Sequence, residues 1–536
     1  MGGVWTVLIC TLIREKKPAW ESSYVWFFCA GAASAIATIA IYNQGRLGRI
    51  SGSFLNPNEY AVFALMLLCL AIYCLEQETV RSRKMFISAL SLLLLLSIGL
   101  SLSRGVFVAS LSVALVVFLR RKPGKTTMIL LTLLVLVSGI FVAIRLKYYE
   151  DPLQYYRWKI WKSSLQGISE DPYFGVGLGM LEYRARTFNF PGENELARYG
   201  RIARSADSQF LEILAETGFV GFFTFLFGWI GVFLSQRKAS QRYFYMKLSW
   251  LVVTITCVFS VPLQNTSVLI LFLFLIAVSV SDSDEEFLSL SFQRAGRILI
   301  PIGCFVLFVI GCYLPYQAHK EFQLAAVSRT PEELEKHLSN AVLYNPYQPY
   351  YRFFFIRKIV DSNPNWESIR WSNLLLSLNQ ATDLNPVEYE FYLYKARIFR
   401  KLLQKESNLR YYSSAVASYQ TALDYNPYNV FLRLEFASFL SQINRDALAE
   451  TEVRKALEAE PVFLNARLFL IELLLNRNES DEARRQYHLF LDYHRRYGYS
   501  PGATPSPYER SLLEVNEKQR ERIEKRLGKM NASVPD

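Results

Sequence analysis

Histidine is nearly absent from this chain. Its 536 residues include four, His319, His337, His488 and His494, and none precedes residue 319. The first half therefore has no imidazole to serve as a general base, and a carboxylate is the natural substitute there. Cysteine is also sparse. The seven (Cys10, Cys29, Cys69, Cys74, Cys257, Cys304 and Cys312) all lie in apolar runs, and no CxxC pair or Cys/His cluster exists. No cysteine lies in 145–206 or in the soluble half, so no disulfide framework is needed there, and nothing points to a metal centre or other cofactor. Neither GxxxxGK[ST] nor GxGxxG occurs, which argues against an ATP-driven pump. Beyond about Pro315 no apolar run approaches the ~20 residues needed to cross a bilayer. Lys and Arg outnumber Asp and Glu by 59 to 47, a net charge of +12. The excess is spread over both halves without a recognition fold, which excludes a nucleic-acid partner.

What is present in quantity is apolar surface. Hydrophobic residues make up 51% of the chain and charged residues 20%. That is too apolar for an ordinary soluble protein and too charged for a purely membrane one, because the average hides two halves. The expected fold is all-α: a polytopic helical membrane domain over 1–318, a soluble α-solenoid over 319–497, and a polar C-terminal segment over 498–536. Candidate spans are 24–43, 58–75, 86–102, 105–119, 127–144, 209–235, 248–264, 266–281 and 297–315. Residues 4–13 read as the end of a further span. Basic residues follow that stretch instead of preceding it, the wrong order for a signal peptide. Both a complete N-terminus and a piece of a longer protein are compatible with this.

Short basic connectors orient the spans. "IREKK" at 13–17, "RSRK" at 81–84, "RRKPGK" at 120–125 and "QRKASQRYFYMK" at 236–247 are assigned to the cytoplasm. The other face then receives the loop at 44–57, the segment 145–206 and everything after 315. Arg104 is the single ionisable residue between Phe86 and Leu119. Those 34 residues exceed one span, so the run folds back, with the turn expected at "SRG", where Gly105 permits it. Arg104 then stands at the non-cytoplasmic mouth of two helices. A snorkelling interfacial anchor is the plainer reading of such an arginine, and three further features on the same face weigh against it.

The 44–57 loop carries Arg46 and Arg49 ahead of "NPN", a helix start with Asn56 or Asn58 as cap. The segment 145–206 is too long for a passive connector and holds ten basic residues against seven acidic ones. Such a balance suits an anionic ligand, and arginine forks suit bidentate phosphate contact. Within it, "YRWKIWKSSLQGISEDPYFGVGLG" reads as an amphipathic helix ended by a glycine-rich turn. Last comes "RSADSQFLEILAETGFVGFF", in which Asp207 or Ser208 opens a helix carrying Glu212 and Glu216 one turn apart. Asp207 is a natural N-cap and equally a candidate general base.

Four ordered motifs, "GRISGSFLNPNEYA", "SLSRGVFVA", "RWKIWKSSLQGISEDPYFGVGLG" and "ADSQFLEILAETGFVGFF", give residues 45–281 a resemblance to the O-antigen ligase and polymerase-like membrane glycosyltransferases of polysaccharide and lipopolysaccharide biosynthesis. The resemblance implies a polyprenyl-diphosphate-linked glycan donor, transferred to a glycan or glycolipid acceptor without metal or nucleotide sugar. It also implies a multi-pass protein of the bacterial cytoplasmic membrane that acts at the outer face. Carried over residue by residue, Arg104 and Arg157 match the diphosphate-binding arginines. Asp207 falls where ligases commonly carry a histidine, a departure that leaves ligase and polymerase both open. Arg46, Arg49, Arg204 and Glu216 complete the candidate substrate-binding set.

The second half repeats. An alanine stands five residues before a proline at Ala341–Pro346, Ala381–Pro386, Ala422–Pro427 and Ala456–Pro461. Ala415, Tyr419, Ala449, Val453, Ala483 and Tyr487 extend the phase. This resembles tetratricopeptide repeats, in which small residues let paired helices approach and the proline ends the second helix. Such an array implies a groove for a protein partner. It also keeps an alternative in view: a non-catalytic membrane-anchored scaffold for a cell-envelope polysaccharide assembly. The charged stretch 507–529 reads as a solvated cap.

Overall fold

The computed structural model describes residues 27–37, 54, 56–120, 124–148, 156–238, 244–280, 303, 306, 309–362, 371–406, 408–498 and 505–531. Arg46, Arg49, the 4–13 stretch, both ends of the 24–43 span and about half of the 297–315 span lie outside them. Among the described residues every regular element is helical. Contacts group them into two units, Met1–Leu181 with Ser205–Ser291, and Glu182–Arg204 with Phe292–Asp536.

The first unit is built around one helix. It comprises α1 (Phe27–Ala37), α2 (Pro57–Gln77), α3 (Arg81–Leu100), α4 (Arg104–Arg120), α5 (Lys125–Tyr148), α6 (Arg157–Glu170), α8 (Gln209–Lys238), α9 (Phe244–Phe259) and α10 (Thr266–Val280); the short α7 (Leu181–Arg184) starts at its boundary residue Leu181 and otherwise belongs to the second unit. Four of these, at Pro57–Gln77, Arg81–Leu100, Lys125–Ile144 and Gln209–Leu234, are long and apolar enough to cross a membrane. α2 begins as its sequence dictates, with Asn56 accepting from the Asn58 N–H at 2.9 Å and Pro57 in the first turn. Every residue from Tyr60 to Leu75 is buried, as befits a helix apolar all round. α3, α4, α9 and α10 pack about it.

Two departures from the expected layout matter. The reversal between α3 and α4 is not made at Gly105, which lies inside the first turn of α4. Ser101–Ser103 make it, with Leu102 in the left-handed region at φ 53°. A leucine there costs roughly 1–2 kcal/mol. The Leu102 N–H bonds the Gly99 carbonyl at 2.9 Å and the Ser101 hydroxyl that of Ile98 at 2.6 Å. The second departure is in α8, which is broken at Gly218 (φ 61°, ψ −168°), a conformation essentially reserved for glycine. The glycine-rich loop after α6 is stitched into the break. The N–H groups of Val176 and Gly177 bond the carbonyls of Ala215 and Glu216, both at 2.9 Å. In return the N–H groups of Phe219 and Val220 bond the carbonyls of Pro172 (2.8 Å) and Tyr173 (3.2 Å).

The second unit stacks helix pairs: α11 (Leu314–Val327) with α12 (Pro331–Tyr344), α13 (Pro349–Ser362) with α14 (Trp371–Leu384), α15 (Tyr389–Glu406) with α16 (Leu409–Tyr425), α17 (Val430–Gln442) with α18 (Asp446–Ala459), and α19 (Leu464–Asn476) with α20 (Ser480–Tyr497). The alanine–proline spacing acquires a structural meaning. Ala341, Ala381, Ala422 and Ala456 are fully buried, and each carbonyl takes the N–H of the residue before the proline, at 3.0, 3.1, 3.0 and 2.9 Å. That bond closes the last helical turn, and the proline forbids another. Six residues after each proline a long polar side chain returns to the proline carbonyl: Arg352 (2.8 Å), Tyr392 (2.9 Å), Arg433 (2.7 Å) and Arg467 (2.6 Å). The C-terminal helices α21 (Pro507–Leu513) and α22 (Glu517–Asn531) bury Leu512, Ile523 and Leu527 in the solenoid core. Their charged face is the cap's outer surface.

Candidate functional site

Arg104 is the first residue of α4 and Arg157 the first residue of α6. A cation at a helix N-terminus works against the helix dipole by about 0.3–1 kcal/mol, so neither arginine is placed for the benefit of its own helix. Both line one cleft in the first unit. Asn58 comes from the first turn of α2, Ser103 from the α3–α4 reversal, and Thr256 and Ser260 from the end of α9. Two guanidinium groups, two positive helix ends and a rim of hydroxyl and amide groups make a site for an anion with several oxygens. Ser103 donates to Asn58 Oδ1 at 3.0 Å, which ties the reversal to α2. "NPN" thus divides its labour: Asn56 caps the helix and Asn58 shapes the cleft.

Asp207 is half-buried, with φ 50°. Aspartate tolerates this left-handed geometry better than most residues. Helix α8 starts two residues later, so Asp207 belongs to the sharp turn that enters it. That turn is pinned from several sides. Ser208 donates to the Cys257 carbonyl at 3.3 Å, and the Gln209 N–H to the Ser260 carbonyl at 3.0 Å, at the same end of α9 that lines the cleft. Buried Glu212 braces it from within, accepting from the Ala206 N–H (2.9 Å) and from Gln264 Nε2 (2.6 Å). Its neighbour Gln209 keeps a buried Oε1 without a partner among the described residues.

The remaining nominated residues are placed differently. The Glu216 carboxylate accepts backbone N–H groups of Gly179 and Leu181, anchoring the glycine-rich loop. Arg204 is exposed, pairs with Glu182 at 3.5 Å and belongs to the second unit. Arg46 and Arg49 lie outside the described residues. Sequence reasoning did not nominate Glu212, Gln264 or Ser260. Their importance arises from pairings across about fifty residues, of which a chain read in order carries no trace.

Residues 89–226 match the family model Wzy_C, described as O-Antigen ligase. No curated protein sequence matches the chain. Among solved structures, the MamA protein is similar at 13% identity and TM-score 0.29, covering 35% of this chain and 98% of its own. A thermophilic TPR protein of Thermus thermophilus gives 18% and 0.28, covering 40% and 98%. Yeast Tom70 gives 12% and 0.28, covering 88% and 92%. The chain is thus a multi-pass membrane protein by its helices and matches an O-antigen ligase domain over residues 89–226.

Proposed function

We propose that this protein transfers a glycan from a polyprenyl-diphosphate carrier to a sugar hydroxyl at the outer face of a bacterial cytoplasmic membrane. The observation that carries this reading is the convergence of Arg104 and Arg157, 53 residues apart in sequence, on one cleft at two helix N-termini. In the reaction the bond from the sugar's anomeric carbon to the phosphate oxygen breaks as a new bond forms to the acceptor oxygen. The leaving diphosphate stays on its lipid and gains charge as it departs. Arg104 and Arg157 balance that charge, worth a few kcal/mol per contact in a partly dry site (about 2.7–4 for a single oxyanion donor elsewhere). The acceptor proton passes to an Asp207 carboxylate oxygen. The ligase-domain match, the membrane helices and the absence of histidine before residue 319 support this assignment. The acceptor is a glycolipid for a ligase or a growing glycan for a polymerase.

The test is conservative substitution. Lysine at 104 or 157 keeps the charge and loses the planar fork. Asparagine at 207 removes the base and accepts the same left-handed backbone. Each variant should insert and resist proteolysis like the parent and lose transfer from a polyprenyl-diphosphate donor in purified membranes. A scaffold would tolerate all three, so parental complementation by Arg104→Lys, Arg157→Lys and Asp207→Asn together would replace the enzyme reading with the scaffold one.

A further inference from the structure

The solenoid already holds a ligand, and the ligand is part of the same chain. Residues Glu182–Arg204 group with the second unit and lie across its row of inter-helix turns. At the turn after α14, Arg186 Nη1 donates to Glu388 at 2.6 Å, with its guanidinium 4.8 Å from the centre of the Tyr389 ring. At the turn after α16, the Tyr199 ring stacks on Tyr428, 4.3 Å apart and 6° from parallel. At the turn after α18, the Tyr199 N–H donates to Glu460 Oε1 at 2.6 Å and Arg198 to the Glu458 carbonyl at 3.0 Å. At the C-terminal end of α20, Glu195 accepts from Arg496 (3.2 Å) and Tyr497 (2.8 Å).

Two of these sites are breaks in the repeat. The residue before the turn proline is Asn345, Asn385 and Asn426 in three turns, and Glu460 in the fourth. Two residues after the proline stand Gln348, Glu388, Asn429 and Phe463, so the second turn alone carries a carboxylate there. Both carboxylates are almost fully buried, and burying a charge is costly unless it is paired. Within the second unit's helices Glu388 Oε1 accepts the Glu390 N–H at 3.3 Å and Glu460 Oε1 the Tyr508 hydroxyl at 3.2 Å. The loop adds the shorter contacts, both at 2.6 Å: Arg186 supplies a cation for one and the Tyr199 N–H a donor for the other. The loop's ends also meet. Leu181, just before it, and Ala206, just after it, are buried in one small apolar cluster with Ile168 and Ala215. The excursion thus leaves and returns at one place, one residue before Asp207.

We infer that the repeat array clamps the 182–204 excursion through Glu388 and Glu460 and thereby fixes the turn that carries Asp207, making Arg186, Tyr199, Glu388 and Glu460 positioning residues for glycan transfer. This rests on the transferase reading above. A solenoid used in this way recognises its own outer loop at the turn row, with Arg186 and Tyr199 as anchors.

The experiment uses the full-length protein in membranes. The segment contains five arginines, Arg184, Arg186, Arg198, Arg201 and Arg204, so brief trypsin treatment reports its release. Tyr199→Ala and Arg186→Glu should each speed cleavage within 182–204 about tenfold and lower kcat about tenfold, with donor KM within about twofold of parental. The swapped pair Arg186→Glu/Glu388→Arg should restore both readouts. Faster cleavage with parental kcat would overturn the positioning role, and parental cleavage in both single variants would overturn the clamp. Should the swapped pair fail to fold, Tyr199→Ala alone decides, because it leaves both carboxylates in place. A parent without any transfer activity is a different result. It removes the transferase reading and the positioning role with it, while the cleavage rates still decide whether the loop is clamped.

Discussion

Replacing Gly218 by alanine probes the interlock between the broken helix and the glycine-rich loop. Alanine cannot adopt φ 61°, ψ −168° without strain, a cost of order 1–3 kcal/mol. Its Cβ would also overlap the backbone of Tyr173 and come within 2.6 Å of the Phe174 nitrogen, atoms that no side-chain rotation can move aside. Relief requires separating the loop from the helix, which breaks the bonds from Phe219 to Pro172 and from Val220 to Tyr173 at about 1 kcal/mol each. The expected loss is therefore about 3–5 kcal/mol. Gly175→Ala attacks the same junction from the loop side, since its Cβ would stand 2.5 Å from the Ala215 carbonyl oxygen at φ +70°. The two costs should not add, because either substitution opens the same seam. The double variant should lie within about 1 kcal/mol of the worse single one. Unfolding equilibria of the four proteins in mixed SDS micelles measure the cycle. A Gly218→Ala loss below about 0.5 kcal/mol, or strict additivity in the double variant, would refute the interlock as a single cooperative feature.

Further outcomes follow from the second unit and from topology. Burial raises the Glu460 carboxyl above its ordinary value of 4.5, against the lowering effect of the Tyr199 and Arg198 backbone groups. A raised folded-state value means that Glu460 favours folding below pH 4.5 and loses this contribution as pH rises through its folded value. Glu460→Gln, which retains an acceptor for Tyr199, should flatten the fall in thermal stability of the full-length protein over that window; an unchanged slope would count against it. Arg433→Ala removes donors from the Pro427 carbonyl (2.9 and 2.7 Å) and from Glu452. It should destabilise the protein by about 1–3 kcal/mol, which a denaturant titration of Trp and Tyr signals would detect. Single cysteines introduced into 145–206 and 320–536 should react with an impermeant reagent from the same, non-cytoplasmic side. Labelling from opposite sides would invalidate the orientation and the outer-face assignment.

What one stretch of chain can show about itself was legible in order. Apolar runs and basic connectors mark the membrane helices because hydrophobic length is a local property. The alanine–proline spacing marks the solenoid because a small residue and a helix stop recur at a helical pair's own length. Arg104 stands out because a lone charge in a 34-residue run of otherwise apolar and small residues has to lie at a helix end. Tertiary structure alone decided the rest. Leucine carries no sign of a left-handed conformation, so the sequence points to Gly105 where the fold turns at Leu102. Arg157 joins Arg104 in a cleft because α4 and α6 present their first residues to the end of α9, a convergence made by packing. Glu212 reads as one acidic residue on a helix until Ala206 and Gln264 close on it. Glu388 and Glu460 read as ordinary surface charges in the turns of a repeat. Only the fold buries them and brings Arg186 and Tyr199 from about 200 and 260 residues away in sequence to meet them, since long-range pairing is specified by the shape of the assembled surface and by no local pattern.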